Sequence, residues 1–566
     1  MRKRLIPVLI AIVLIIIIGG FFAASILWRK YSYSKERMDL KEYYKLTEQD
    51  QVAIVHHADH LEIKAKQDQG ICYLDFASVQ ELLNDRFYHD QAEQLLLYTT
   101  PTDIITNVIG SDVYYVGEEE ISPGYRISFY EEDILYVALD YVKQYTNFVY
   151  DFYSEPSRIW LMTEPMDQLV AEVKKSSQVR YRGGVKSEIL REVEKGEKVA
   201  ILETLENWTK VLTEDAMIGY LPNKVLTEGV AETKSVEGGY QEPEYTSLVR
   251  DYKINLGWHQ VMSEGSNSTL EDVVDSSSGL NVISPTWFSV KDNEGGIQSI
   301  ASSSYVNRAH SMGMEVWGLV DNFDSDVSSY TVLSATTSRR NLIRQLMEEA
   351  LRVGMDGINV DFEDLSYDAG EPFVQFLREL SIECRREGLV LSVDNYVPRA
   401  STAHYDRKEQ GIVADYVIIM GYDEHWGGGG VAGSVASLGF VEDGIVQTLK
   451  EVPKEKVINA LPFYTRVWKT RGEQVTSEAL DMETAKNFIN NNKLNMVWNP
   501  VAGQNYGDIQ KGDTYYQIWM EDAQSIRAKL EIMEKHEIGG AAAWRLGFET
   551  PEIWDEINQY LNRNTN

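Results

Sequence analysis

The chain has 566 residues, 43% of them hydrophobic and 11% aromatic, and a formal net charge of −33. That length is too great for one ordinary domain and predicts roughly two to four. The composition excludes a disordered chain. The acidity excludes a nucleic-acid role, because phosphate binding needs basic surface; an acidic exterior favours solubility instead. Two cysteines, Cys72 and Cys384, are too few for a disulfide framework or a thiolate metal cluster and read as buried free thiols.

The N-terminal "MRKR" is followed by "LIPVLIAIVLIIIIGGFFAASILW", residues 5–28, with no charge. At about 1.5 Å per residue such a helix spans a bilayer core of about 30 Å, so residues 1–30 are expected to be a transmembrane signal-anchor. Arg2, Lys3 and Arg4 favour a cytoplasmic N-terminus with the rest of the chain exported; Arg29, Lys30, Lys35 and Arg37 weigh against that orientation. "FFAAS" leaves a cleavage site open. Residues 31–55 are polar and tyrosine-rich and read as a juxtamembrane stalk.

Residues 56–172 carry short β-rich runs, among them "DVYYVG", "ILYVALDYV" and "RIWLMT", and "LDFASVQELL" reads as a strand turning into a helix. This small α+β segment resembles the copper-amine-oxidase-N-like modules of bacterial wall proteins. The resemblance implies no copper here, since His56, His57, His60 and His89 lack ligand spacing and read as surface residues; no metal and no cofactor is expected anywhere. Residues 177–227 show strands at regular spacing with turns at "RGG", "EKGEK" and "LTED". "VRYRGG", "KGEKVAIL", "NWTKV" and "IGYLP" together resemble a bacterial SH3-type domain, which implies binding of a cell-wall polymer; the alternative is a spacer barrel with Trp208 in its core. Residues 228–244, rich in Gly, Glu and Ser, read as a linker.

From 245 to 562 strands alternate with helices. "KINLGWHQV", "LNVISPTWFSV", "MEVWGLVDN", "GINVDFE", "LVLSVDNYV", "YVIIMGYD", "KVINALPFY" and "GGAAAWRLG" are the strand candidates, and "SRRNLIRQLMEEALRVG" carries a helix-period apolar stripe. Eight such repeats argue a (β/α)8 TIM barrel, an α/β fold. In "GMDGINVDFEDL", Ile358, Val360 and Phe362 alternate with Asn359, Asp361 and Glu363. The first set packs under helices. The second lines the interior, with Glu363 at the C-terminal mouth where barrel active sites sit. Buried neighbouring carboxylates are costly unless paired or protonated, so a purely structural strand would carry Val or Ile there.

"DGINVDFE" resembles the strand-four signature of glycoside hydrolase family 18, with Asp356, Asp361 and Glu363 in place and Asn359 where the family has its first inner aspartate. "MGYD" at 420–423, "LPFYTRVW" at 461–468 and "AAAW" ending at Trp544 support the resemblance, which covers 245–562. It implies retaining, substrate-assisted cleavage after N-acetylglucosamine, the acetamide carbonyl of the substrate acting as nucleophile. Glu363 would be the general acid, Asp361 would orient the acetamide and stabilise its developing charge, and Tyr422 would bind the acetamide oxygen. Asp423 would contact the sugar and Trp544 would floor the site. Tyr464, Arg466, Trp287 and Trp317 are further candidate substrate contacts, and Asp356 is expected to anchor backbone. Because Asn359 cannot titrate, Asp361 is expected to stay ionised over a wider pH range. With the anchor and the SH3-like segment, the expected substrate is peptidoglycan or spore-cortex glycan. Chitin oligomers, or a non-catalytic glycan-binding barrel, are the rival readings.

Overall fold

A computed structural model describes residues 2–562; Met1, and the side chains of Arg2, Lys3 and Arg4 on which the expected orientation of the anchor rests, lie outside the described residues. The N-terminal helix runs Arg2–Tyr31. Its segment Ile6–Tyr31 contains an 18-residue window with a mean hydropathy of 3.0 and no buried residue, and by length and composition it is able to cross a membrane.

Beyond this helix the chain forms two compact units. The first takes the residues up to 87, 107–115 and 120–242. One of its sheets runs through residues 51–75 and 128–162, with Gln51–His56 between Asp59–Asp68 and the parallel strand Ser157–Met162. The strand Ile71–Asp75 does turn into a helix, Phe76–Leu82, and Asp75 caps it by accepting from the Ser78 amide. The second sheet is antiparallel and spans residues 166–234.

Two expected boundaries move. The stalk is not a free tether beyond about residue 38: Leu40–Tyr44 is a capped helical turn, Tyr44 is buried, and Met38, Leu40 and Tyr43 pack on the Val179, Leu190 and Val211 core. Four apolar or aromatic side chains in a polar stretch suffice to fold it back. The expected linker opens with a strand, Val230–Lys234, that pairs with Met166–Glu172.

The second unit holds the barrel. Its strands are β1 (Ile254–His259), β2 (Val282–Val290), β3 (Glu315–Asp321), β4 (Gly357–Asp361), β5 (Val390–Tyr396), β6 (Tyr416–Met420), β7 (Val457–Pro462) and β8 (Gly540–Trp544). All eight are parallel, and β1 pairs with both β8 and β2, which closes the sheet. Side chains alternate as the pleat requires. Leu256, Trp258, Trp317, Leu319, Ile418, Ile458 and Ala542 fill the interior. Ile358, Val360, Phe362, Val393, Val417 and Ile419 face the helices. Between β7 and β8 the chain makes an insertion that the strand–helix alternation did not predict, a five-stranded antiparallel sheet within 464–520 that carries the helix Met482–Asn492.

The expected 56–172 module is also divided, because residues 88–106 belong to the barrel unit. Tyr88–Asp90 and Leu95–Thr99 form a hairpin. The helix Thr336–Val353 starts after Ala335, which has no side chain able to cap it. The hairpin supplies the cap: Asp90 Oδ2 accepts from the Thr336 amide at 2.6 Å and its hydroxyl at 2.5 Å, and Glu93 Oε1 accepts from the Thr337 amide at 2.7 Å. Just below, the Arg339–Glu379 ion pair is fully buried, and the Arg339 guanidinium lies 4.8 Å from the Tyr88 ring centroid. Asp90→Ala therefore leaves buried donors unpaired and destabilises the barrel by about 1–3 kcal/mol. Thermal denaturation of the full chain checks this: the barrel transition falls, whereas Asp167→Ala, in the other unit, leaves it in place.

Candidate active site

The C-terminal ends of the barrel strands surround a cavity of about 190 Å³. Asp361, Glu363, Asp394, Tyr396, Tyr422, Asp423, Trp258 and Trp544 line it, with Phe323 and Met420. The acidic pair expected on β4 thus opens inward into a groove. Asn359 lies one layer deeper and is fully buried. Its Oδ1 accepts from Trp258 Nε1 at 2.9 Å and Ser284 Oγ at 3.1 Å, and its Nδ2 donates to Ser392 Oγ at 3.1 Å and Asp394 Oδ1 at 2.9 Å. Four partners fill the amide's capacity and fix its orientation.

Glu363 sits just past β4, held at its backbone by Asn322, whose amide oxygen accepts from the Glu363 N–H and whose Nδ2 donates to the Glu363 carbonyl, both at 2.8 Å. The Tyr396 hydroxyl donates to Glu363 Oε2 at 2.6 Å. Burial raises the Glu363 carboxyl pKa; the Tyr396 bond opposes this, and the charges of Asp364 and Asp423 add to it. A carboxyl whose pKa is raised suits general-acid chemistry.

Asp361 corrects one expectation. Burial, then the charges of Asp394, Glu363 and Asp321, push its carboxyl well above the usual carboxylate range. Replacing an aspartate by Asn359 does not free Asp361 from a like charge, because β5 brings Asp394 to the same cavity. Sequence reasoning missed Asp394, Tyr396, Trp258 and Asn322. "LSVDNYV" carried the same inner alternation as β4, with Ser392, Asp394 and Tyr396 on one face, and was readable in the same way.

Tyr422 follows β6 into the cavity, and burial raises its phenol pKa well above the ordinary value. Asp423, at φ 57° in the left-handed region, is clasped from the insertion: Tyr464 donates to its Oδ1 at 2.7 Å and Arg466 pairs with it at 3.6 Å. Tyr464 and Arg466 therefore reach the site through Asp423 and do not line the cavity. Trp544 lines it, its ring 6.1 Å from that of Trp258. Trp287 and Trp317, expected as substrate contacts, do not line the cavity. Trp287 is buried on the helix side, donating to Asn267 Oδ1 at 2.8 Å. Trp317 is fully buried near the start of β3, stacked on Tyr416 and donating to Glu315 Oε2. Asp356 anchors backbone as expected, accepting from the Val316 amide at 2.8 Å.

A model described as "Glycosyl hydrolases family 18" matches residues 307–549. The chain is 25% identical over 294 residues to the uncharacterized glycosylase YvbX of Bacillus subtilis (strain 168), covering 50% of this chain and 84% of that protein. It is 28% identical over 263 residues to the cortical fragment-lytic enzyme of the same organism, covering 44% of this chain and 60% of that protein. The solved Bacillus cereus spore cortex-lytic enzyme SleL shares the fold at a TM-score of 0.50 and 20% identity, over 55% of this chain and 74% of that one. Residues 307–549 thus match family 18 of the glycosyl hydrolases, and with these relatives the chain is a glycoside hydrolase of that likeness.

Proposed function

We propose that the chain is a membrane-anchored, exported hydrolase that cuts β-1,4 bonds after N-acetylglucosamine in peptidoglycan or spore-cortex glycan, by substrate-assisted retaining catalysis. The observation that carries this reading is the pairing of Glu363, raised in pKa and hydrogen-bonded by Tyr396, with a buried Asp361 two residues earlier at one cavity. Glu363 protonates the leaving oxygen. Asp361, once ionised, accepts from the acetamide N–H and stabilises the positive charge that grows as the acetamide oxygen attacks the anomeric carbon. Tyr422 donates to the acetamide oxygen, Asp423 contacts the sugar, and Trp544 offers an apolar face to the ring.

The substrate class is supported by relatives named as cortical fragment-lytic enzymes, and export by the apolar helix Ile6–Tyr31. Residues 177–227, as an SH3-type module, would hold the wall polymer while the helix holds the membrane, with the catalytic barrel on the wall side.

Glu363→Gln removes the proton donor and lowers release of reducing ends from purified sacculi or cortex by about 10²–10⁴-fold. The new reducing end, followed by proton NMR at early times, carries the β-anomer. Turnover of chitin oligomers with none of sacculi or cortex would move the substrate to chitin-type glycans. Tyr396→Phe removes a hydrogen bond that favours ionised Glu363, so the Glu363 pKa rises. Because the acid works only when protonated, the alkaline limb of the pH–rate profile moves to higher pH; a limb that stays or falls counts against Glu363 as the acid.

A further inference from the structure

The inner faces of β3, β4 and β5 carry one acid each at the same level. Asp321 pairs in register with Asp361, and Asn359↔Ser392 and Val360↔Val393 pair β4 with β5, so the next step of that register sets Asp361 beside Asp394. Neighbouring strands are about 4.8 Å apart. Asp361 and Asp394 are 8% and 2% exposed. Asp394 Oδ1 is taken by Asn359 Nδ2, and Asp361 Oδ1 is buried with no hydrogen-bond partner. A buried carboxylate oxygen without a donor is costly, and two buried carboxylates at this separation do not both ionise near neutrality. The titratable groups facing the pair are Glu363 beyond the end of β4, Asp321 on β3, Tyr396 on β5 and Tyr422 after β6, all of them acids or phenols.

We infer that Asp394 is the proton partner of Asp361: the two carboxyls hold one proton between them, and when a substrate acetamide takes up Asp361, that proton passes to Asp394. No proton is gained or lost in the step. It moves from one carboxyl oxygen to another as the acetamide N–H replaces it on Asp361. The work that an aspartate at position 359 would do on β4 is done here from the adjacent strand, while Asn359, unable to titrate, orients Asp394. The Asn359 bond favours ionised Asp394, whereas burial and the charge of Glu363 disfavour it. Asp394 is thus a positioning residue that acts through Asp361, and the inference rests on the proposed acetamide-assisted mechanism.

The acidic limb of kcat/KM on a fluorogenic N-acetylglucosamine oligomer, measured with the full-length chain in detergent, tests it. If the proton passes between the carboxyls, that limb reports the first ionisation of the pair. In Asp394→Ala, Asp361 must ionise alone in its buried place, and the limb moves to higher pH while the alkaline limb stays. Asp394→Glu keeps the limb near the parent position, and the Asn359→Asp, Asp394→Ala double variant returns it. If Asp394 is only a like charge, its removal eases Asp361 ionisation and the limb moves to lower pH; that result, or an unmoved limb in a folded variant, overturns the inference. Asp394→Leu, which like alanine can neither donate nor titrate, replaces the alanine variant should that one fail to fold, with the same upward shift expected. Full activity in Glu363→Gln would instead overturn the underlying mechanism, whatever Asp394 does.

Discussion

Removing carboxylates from water is the constraint around which the barrel is arranged. Three neighbouring strands, β3, β4 and β5, each carry an acid at the same level of their inner face, where a purely structural barrel would place a branched apolar residue. The layer beneath is built to tolerate this. Trp258, Ser284, Ser392 and Asn359 form a closed hydrogen-bonded set with no titrating member, and it ends on Asp394. Lower still, Trp317, Tyr416 and Leu256 restore an apolar core. The polar mouth and the dry base are consecutive layers of one alternating pattern.

Precision at the mouth comes from two sources. Asn322 locks the backbone of Glu363 from β3, and Tyr396 fixes its carboxyl from β5, so the acid is positioned from both neighbouring strands. The other rim is held from the insertion. Tyr464 and Arg466 grip Asp423, and Trp468 donates to the Gly433 carbonyl, tying down the glycine-rich loop that follows β6. A side excursion between β7 and β8 thereby sets the geometry of a residue on the β6 loop.

The barrel and the β4 acids were legible because period-two alternation and strand–helix spacing are local properties. Tyr422, Asp423 and Trp544 followed from motifs at strand ends. Asp394 obeyed the same alternation and was passed over because "LSVDNYV" has a single acid, and one acid on a strand carries little signal until its neighbour is known. Trp287 faces the helices, a choice between two faces that only the register makes, and Trp317 faces the interior but near the start of β3, too deep for the mouth. The cap on Thr336–Val353 was out of reach: nothing near Ala335 points to Asp90 or Glu93, and pairings at such separations are set by the tertiary fold.

That cap has a temporal side. Asp90 precedes its partner Thr336 by 246 positions, so at roughly 5–20 residues per second a ribosome delivers the two some 10–50 s apart. The hairpin emerges early and waits with its acceptors solvated, while the amides it will receive are still unmade. Closing so long a loop is a slow, late event. A nascent chain interrupted before the middle of the barrel carries Asp90 and Glu93 with no amides to receive, and a gene fragment begun at the barrel's first strand yields a barrel whose helix opens on bare amides.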